Sequence, residues 1–302
     1  MAARSIAMPT TRIAAATATL LIAGTSSCAS GDRATGSMFS QADAYERFMG
    51  RWSRLLAPSL VVLSRVGDGE SVLDVGSGTG ALAFAVRDAT RTTRIIGIDP
   101  SKPYIERATA SSHDPRVRFQ LGDGQAIRFP DGRFDRTLSL LVMNFIPDRE
   151  RAVKEMIRVT RPGGLVAAAV WDYGEGMEML RAFWDEAIAL DPASAPRDEA
   201  HMPLCKPGEL AALWRRAGLI EVKEAALTVT LHFASFEDYW QPFLLGQGPA
   251  GAYVAGLAND RRVELARRLR QRLLGGGPDH PFEVRARAWA VTGVVPETPM
   301  AP

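Results

Sequence analysis

Residues 72–83 read Val72-Leu73-Asp74-Val75-Gly76-Ser77-Gly78-Thr79-Gly80-Ala81-Leu82-Ala83, an apolar run with one acid near its end, broken by glycines before a helical pattern begins. Glycine at 76, 78 and 80 lets the chain turn sharply and brings bare backbone against a ligand, because no Cβ intervenes. A dinucleotide fingerprint, G-x-G-x-x-G, seats a pyrophosphate at the helix N-terminus, where a nearby carboxylate gives no evident help. Here the spacing is G-x-G-x-G with Asp74 beside it, which suits a ligand with an ammonium group and no phosphate.

Working outward, strand patterns fall at 71–75, 94–98, 116–121, 134–141 and 164–171. Amphipathic stretches near 79–88, 101–111 and 148–160 are long enough for crossover helices. That alternation predicts an α/β fold, a doubly wound and mostly parallel sheet with helices on both faces. Arg161-Pro162-Gly163-Gly164 ends the third helix, since proline cannot continue it and glycine supplies the turn. After Trp171 the spacing predicts a helix near 177–190, a Pro-rich connection at 191–208 and a helix at 208–217. A β pattern follows at 219–232, then helices over 234–280 with a Gly-rich break at 275–277, and a last β pattern at 282–295.

Asp99-Pro100, at the end of the second strand, lies about 20 residues after the glycine loop, where a carboxylate can accept from a ribose diol. Asp123-Gly124-Gln125 follows the third strand, where Asp123 could accept from an adenine amino group and Gly124 admit the ring. Each also reads as an ordinary turn or cap; their order around Asp74–Gly80 frames a nucleoside.

Val72–Gly80, Asp99, Asp123–Gln125, the strand Phe134–Leu140 and Arg161–Gly164 together resemble the successive motifs of class I S-adenosylmethionine-dependent methyltransferases. The likeness covers 38 to about 172 and is nearest to the small-molecule branch, similar to ubiquinone/menaquinone C-methyltransferases. It implies a Rossmann-like sheet of seven strands with the last antiparallel, 219–232 and 282–295 as its final strands, and the helices between them as a cap or insertion. It implies S-adenosylmethionine as cofactor. Asp74, Gly76, Ser77, Gly78, Thr79 and Gly80 would hold the methionine part, Asp99 and Pro100 the ribose, and Asp123, Gly124 and Gln125 the adenine. Leu140 and Leu141 would pack near the sulfonium, and Tyr45 and Arg51 would close over the site, Arg51 reaching the methionine carboxylate. Where relatives often place a histidine after the fourth strand, this chain has Asn144, and no Asn-Pro-Pro-Tyr occurs there, which argues against DNA bases or protein amides as acceptors.

The expected acceptor is a small hydrophobic or aromatic molecule. Candidates for direct catalytic roles are Asn144, Trp171, Asp172 and His201. Trp171, Trp184, Trp214, Phe236, Tyr239 and Trp240 could line an aromatic pocket, or build core. Two other functions compete with methyl transfer: an NAD-dependent oxidoreductase, disfavoured by the glycine spacing and Asp74, and a non-catalytic relative that binds the cofactor.

Composition narrows the remaining options. A net charge of +2 does not call for nucleic acid as partner, and Cys28, Cys205 and four scattered histidines offer no metal-ligand spacing, so no metal is expected. The arginine-rich segment 259–273 imitates a helix for anionic partners but reads first as a solvated surface helix. Residues 1–37, with Arg4 and Arg12 before an uncharged run, have the layout of a presequence or non-native extension and are set apart from the core. The rest divides into a cofactor-binding core at 38–175, a cap with the last strands at 176–296 and a disordered tail at 297–302. No membrane span is expected in the core, and the location is taken as cytoplasmic, with an export or lipoprotein signal as the alternative.

Overall fold

The computed structural model describes residues 42–297; the leader at 1–37 and all of the tail beyond 297 lie outside them. In chain order the helices are α1 (Arg51–Leu63), α2 (Ala81–Ala89), α3 (Lys102–Ala110), α4 (Arg149–Val159), α5 (Glu178–Leu190), α6 (Glu209–Arg216), α7 (Phe236–Leu244), α8 (Gly248–Gly256) and α9 (Asn259–Leu274). The strands are β1 (Ser71–Val75), β2 (Arg94–Asp99), β3 (Val117–Leu121), β4 (Phe134–Leu140), β5 (Thr160–Trp171), β6 (Ile220–Phe233) and β7 (Phe282–Val294). They form one seven-stranded sheet in the order β3-β2-β1-β4-β5-β7-β6. β7 runs antiparallel to β5 and β6, while the first five strands pair in parallel. This is the Rossmann-like α/β sheet that the strand and helix spacing predicts.

The parallel strands are apolar because both faces are covered. Val72, Leu73 and Val75 are fully or almost fully buried, and β5 carries Ala167, Ala168 and Ala169 at zero exposure, small enough for helices to approach on either side. On one face, Trp52 of α1 meets Trp171 edge-on at 6.3 Å, and Phe183 of α5 stacks on Phe243 of α7 at 4.7 Å. On the other, Trp214 of α6 is buried with Leu210 and Val166, its indole N–H donating to the Val166 carbonyl at 3.1 Å.

β5 starts earlier than the Pro-Gly-Gly stretch suggests. Thr160 already pairs with Phe134, and the register shifts before Arg136 pairs with Leu165, so Arg161–Gly164 form an irregularity inside the strand rather than a loop before it. The chain steps from β1 outward to β2 and β3, then returns to β4 on the opposite side of β1. In a doubly wound sheet the crevice at the carboxyl ends of such strands is where ligands bind.

Candidate functional site

A cavity of about 290 Å³ opens at that crevice, walled by the end of β1, the glycine loop, the end of β2 and the end of β4. The loop is held by its own backbone: the Gly76 and Ser77 amides donate to the Ile98 carbonyl at 2.8 and 2.9 Å, and the Gly78 amide donates to Asp99 Oδ2 at 3.0 Å. The glycines serve different ends. A Cβ on Gly76 would stand 2.5 Å from Val142, and one on Gly80 2.7 Å from Phe84, so these two permit packing. Gly78, at φ +51°, has no atom within 4 Å of where its Cβ would be; its missing side chain leaves open cavity.

Asp74 lines this cavity at 1% exposure, and neither carboxylate oxygen has a hydrogen-bond partner. Burial pushes its pKa up to about 8; the nearby Ala83 amide opposes this without reaching hydrogen-bond geometry, and the charge of Asp99 adds to it. A buried, unpartnered carboxyl is costly unless something cationic satisfies it. Asp99 is also buried and its pKa raised by burial, but it is partly satisfied, accepting from the Ser101 amide at 2.8 Å as well as from Gly78. Its lone pairs leave room for a diol. Ser77, Thr79, Leu140 and Leu141 line the same space, with Leu141 at φ +62°, a strained backbone for a leucine.

A second cavity of about 210 Å³ shares Tyr45, Ser53, Tyr104, Leu141 and Phe145 with the first, so the two adjoin across one wall. Its remaining lining includes Phe48, Trp171, Tyr173, Glu199, Gln247 from the α7–α8 turn and the first residues of α8, Gly248 and Pro249. A π-helical turn, Glu46–Gly50, precedes α1 in the segment that carries Tyr45 and Phe48. The Tyr45 hydroxyl lies 3.3 Å from Ser53 Oγ, and its ring tilts against Tyr104 at 5.3 Å.

Several expectations need correction. Arg51 does not reach the cofactor cavity: it donates to both oxygens of Asp238 at 2.8 and 3.2 Å and to the His232 carbonyl, and lies 5.0 Å over the Phe233 ring. The arginine near the glycine loop is Arg54, one helical turn on, paired with Glu46, which also accepts from Thr79 Oγ1. Asp123, Gly124 and Gln125 sit at the neighbouring strand end but do not line the cavity. Asp123 is exposed and accepts from the Gln125 amide at 2.8 Å, while Gln125 Oε1 accepts from the Asp148 amide. Pro100 is exposed and outside the lining.

Of the catalytic candidates, Trp171 alone lines either of these two cavities. Asp172 is saturated by Arg287, which donates to Oδ2 at 2.8 and 2.6 Å, and by the Glu175 amide. Asn144 is buried away from both cavities with its amide 3.7 Å from Met202 Sδ, and His201 is exposed. Trp214 belongs to the opposite face of the sheet, and Phe236, Tyr239 and Trp240 pack in the core without touching either cavity. The cavity-lining side chains that sequence reasoning missed include Ser53, Tyr104, Phe145, Tyr173 and Glu199, which come from separate elements and have no common spacing. Only Phe145 and Glu199 carried a signal, an apolar residue after β4 and a carboxylate in the 191–208 connection.

The comparisons with known proteins agree with this geometry. The methyltransferase domain family matches residues 73–168. A 2-methyl-6-phytyl-1,4-hydroquinone methyltransferase from Synechocystis is 30% identical over 186 residues, 60% of this chain and 56% of that protein. An uncharacterised protein of Mycobacterium tuberculosis is 27% identical over 70% of this chain and 79% of its own length. Among solved structures, a putative methyltransferase from an antibiotic biosynthesis pathway of Anabaena variabilis superposes with TM-score 0.55 at 16% identity, covering 80% of this chain and 98% of that one. A phosphoethanolamine N-methyltransferase 2 of Haemonchus contortus, in complex with S-adenosyl-L-methionine, gives 0.53 at 17% identity over 87% and 57%. Residues 73–168 carry a methyltransferase domain, and the comparisons support a class I S-adenosylmethionine-dependent methyltransferase. It is an enzyme that takes S-adenosylmethionine as its methyl donor.

Among the described residues, no helix is long and apolar enough to cross a membrane, and no group of metal-ligating side chains could hold an ion.

Proposed function

We propose that the protein transfers a methyl group from S-adenosylmethionine to a small hydrophobic or aromatic acceptor. The observation that carries this reading is the pairing of the two cavities: one presents an unpartnered buried carboxylate, Asp74, that suits the cofactor's ammonium, and the adjoining one is walled by aromatic side chains. In that arrangement Asp74 would hold the ammonium, Asp99 the ribose, and Leu140 and Leu141 would border the sulfonium. Methyl transfer from a sulfonium is an in-line displacement, so the protein's main work is to bind, align and exclude water. The buried side chains of Phe48, Trp171 and Tyr173 in that lining support exclusion of water around a flat acceptor. The helices α7–α9 would serve as the cap, a reading supported by the α7–α8 turn at the second cavity. We place the enzyme in the cytoplasm, to which the free, buried Cys205 is suited.

The test is calorimetry with adenosylhomocysteine, followed by transfer of labelled methyl from S-adenosylmethionine into small metabolites of a cell extract. Binding is expected, and Asp99→Ala should weaken it about tenfold or more, the scale of a lost charge-assisted hydrogen bond. Unaltered affinity in that variant would contradict the site.

A further inference from the structure

Glu199 is a carboxylate in the wall of the apolar second cavity, at 5% exposure. It sits on the short 3-10 turn Glu199–His201, where the Pro-rich connection folds back against α5. One oxygen, Oε2, accepts from the Trp184 indole N–H; Oε1 has no side-chain partner among the described residues. No mechanism yet described uses it, and a lone carboxylate in an aromatic cavity is too expensive to be packing alone. Its neighbours are few. Asp198 adjoins it in sequence but is tied to Arg181 of α5; Tyr173 of the β5–α5 loop shares its cavity, as does Tyr45 across it, and Cys205 lies beyond Tyr173.

Resting on the methyltransferase reading above, we infer that Glu199 is the general base of the acceptor site, and that the acceptor is a flat, apolar molecule bearing a phenolic or comparably acidic hydroxyl. Glu199 Oε1 accepts the hydroxyl proton as the acceptor oxygen's lone pair forms the new O–CH3 bond. The methyl–sulfur bond breaks with its electron pair going to sulfur, so the sulfonium becomes a neutral thioether, and the proton passes from Glu199 to water as the ether leaves. Burial, the larger influence, pushes the Glu199 carboxyl up to about 7 against the opposing Trp184 hydrogen bond. A base poised near the working pH has the right balance of ionised fraction and proton affinity for this task. Unlike Asp74, whose two oxygens are both unpartnered, Glu199 is half-satisfied by the Trp184 indole and keeps one oxygen for a single donor, which favours the hydroxyl.

The probes are 2-naphthol, naphthalene and 2-(aminomethyl)naphthalene, titrated calorimetrically into protein saturated with adenosylhomocysteine. 2-Naphthol should bind about tenfold or more tighter than naphthalene, and Glu199→Gln should abolish that preference. Phenols ionise near pH 10, so the preference should strengthen as pH rises through about 7 with Glu199 ionisation, and be flat in Glu199→Gln. Tryptophan fluorescence of the ligand-free protein should titrate over the same range through Trp184. Trp184→Phe, which removes the donor that holds the carboxylate ionised, should move the midpoint of the 2-naphthol curve upward. Equal binding of naphthol and naphthalene, an unchanged preference in Glu199→Gln, or selective capture of the amine would each overturn the inference while leaving adenosylhomocysteine binding intact. Absence of adenosylhomocysteine binding in the wild type would instead remove the methyltransferase reading beneath it.

Discussion

Asp74→Asn separates the two things this carboxyl does, and the magnitudes follow from its burial. Its pKa rises from 3.8 to about 8 on folding, so between those values the folded chain binds more protons than the unfolded chain. The sign is then fixed: stability falls as pH rises through that window and levels off above it. About four units at about 1.4 kcal/mol each make full ionisation cost the ligand-free protein roughly 6 kcal/mol, of which roughly 4 is already present at pH 7. Asparagine keeps the shape and removes the titration. Denaturant unfolding of the ligand-free proteins from pH 5 to pH 9 should therefore show the wild type losing several kcal/mol relative to the variant. The ligand reverses the penalty, since an ammonium beside Asp74 favours the ionised form. At pH 7 the ligand-free carboxyl is mostly protonated, so adenosylhomocysteine binding should release most of a proton, read from calorimetry in buffers of different ionisation enthalpy. In Asp74→Asn the release should vanish and the affinity fall by two orders of magnitude or more. Parallel pH–stability curves for the two proteins, or proton release retained in the variant, would refute a buried carboxyl awaiting a cation.

Gly78→Val should abolish adenosylhomocysteine binding with thermal stability reduced by only about 1–2 kcal/mol, the strain of a positive φ, because its side chain enters open cavity; Gly76→Val, driven into Val142, should unfold or lose several times more by circular dichroism melting. Arg51→Ala removes a pair whose side chains are 26% and 34% exposed, so it should lower stability by about 1 kcal/mol and leave adenosylhomocysteine affinity within twofold; a tenfold loss would return Arg51 to the cofactor. Phe145 is 54% exposed at the lip shared by both cavities, so Phe145→Ala should change unfolding free energy by less than about 0.5 kcal/mol yet weaken 2-naphthol binding several-fold in calorimetry; unchanged binding would take it out of the acceptor wall.

What the sequence made legible was whatever a single strand end could encode. The sheet, its crossover helices and the Asp74–Gly80 loop are local patterns, set by periodicity and by glycines where backbone must turn or open. Asp99 falls in the same class, because a parallel neighbour places its last residue beside the glycine loop, as the Gly78 hydrogen bond records. The failures share one cause: they are side chains whose neighbours come from distant segments. Arg51 and Arg54 are three residues apart on one helix and face different partners, Asp238 and Glu46, which helical spacing alone cannot choose between. Asp172 and Asn144 stand at strand ends as catalytic residues do, yet Arg287 from β7 and Met202 from the Pro-rich connection occupy them. Glu199 showed in the sequence only as a carboxylate in the 191–208 connection, since its burial depends on Trp184 and on the fold-back of that segment against the second cavity.

The unfavourable features of the chain gather at one place. Leu141 is held at φ +62°, the π-helical turn Glu46–Gly50 interrupts regular helix beside Tyr45, and Asp74 and Glu199 are carboxyls buried in apolar surroundings. Each costs of order 1 kcal/mol or more and persists only where the surrounding fold over-determines it. That support is visible in the Leu141 amide donating to the Ala169 carbonyl at 2.7 Å and in the Trp52–Trp171 packing behind the second cavity. The two carboxyls differ in what would relieve them. In the proposed arrangement Asp74, with no partner on either oxygen, would meet the cofactor's ammonium, and Glu199, half-satisfied by an indole, would take and return a proton, with the acceptor's hydroxyl on the far side of the wall from that ammonium. Tyr45, Ser53, Tyr104, Leu141 and Phe145 border both spaces, so in the proposed reaction the methyl group would cross at the wall they form, and substituting Tyr45, Leu141 or Phe145 with a smaller side chain should lower kcat more than it lowers cofactor affinity.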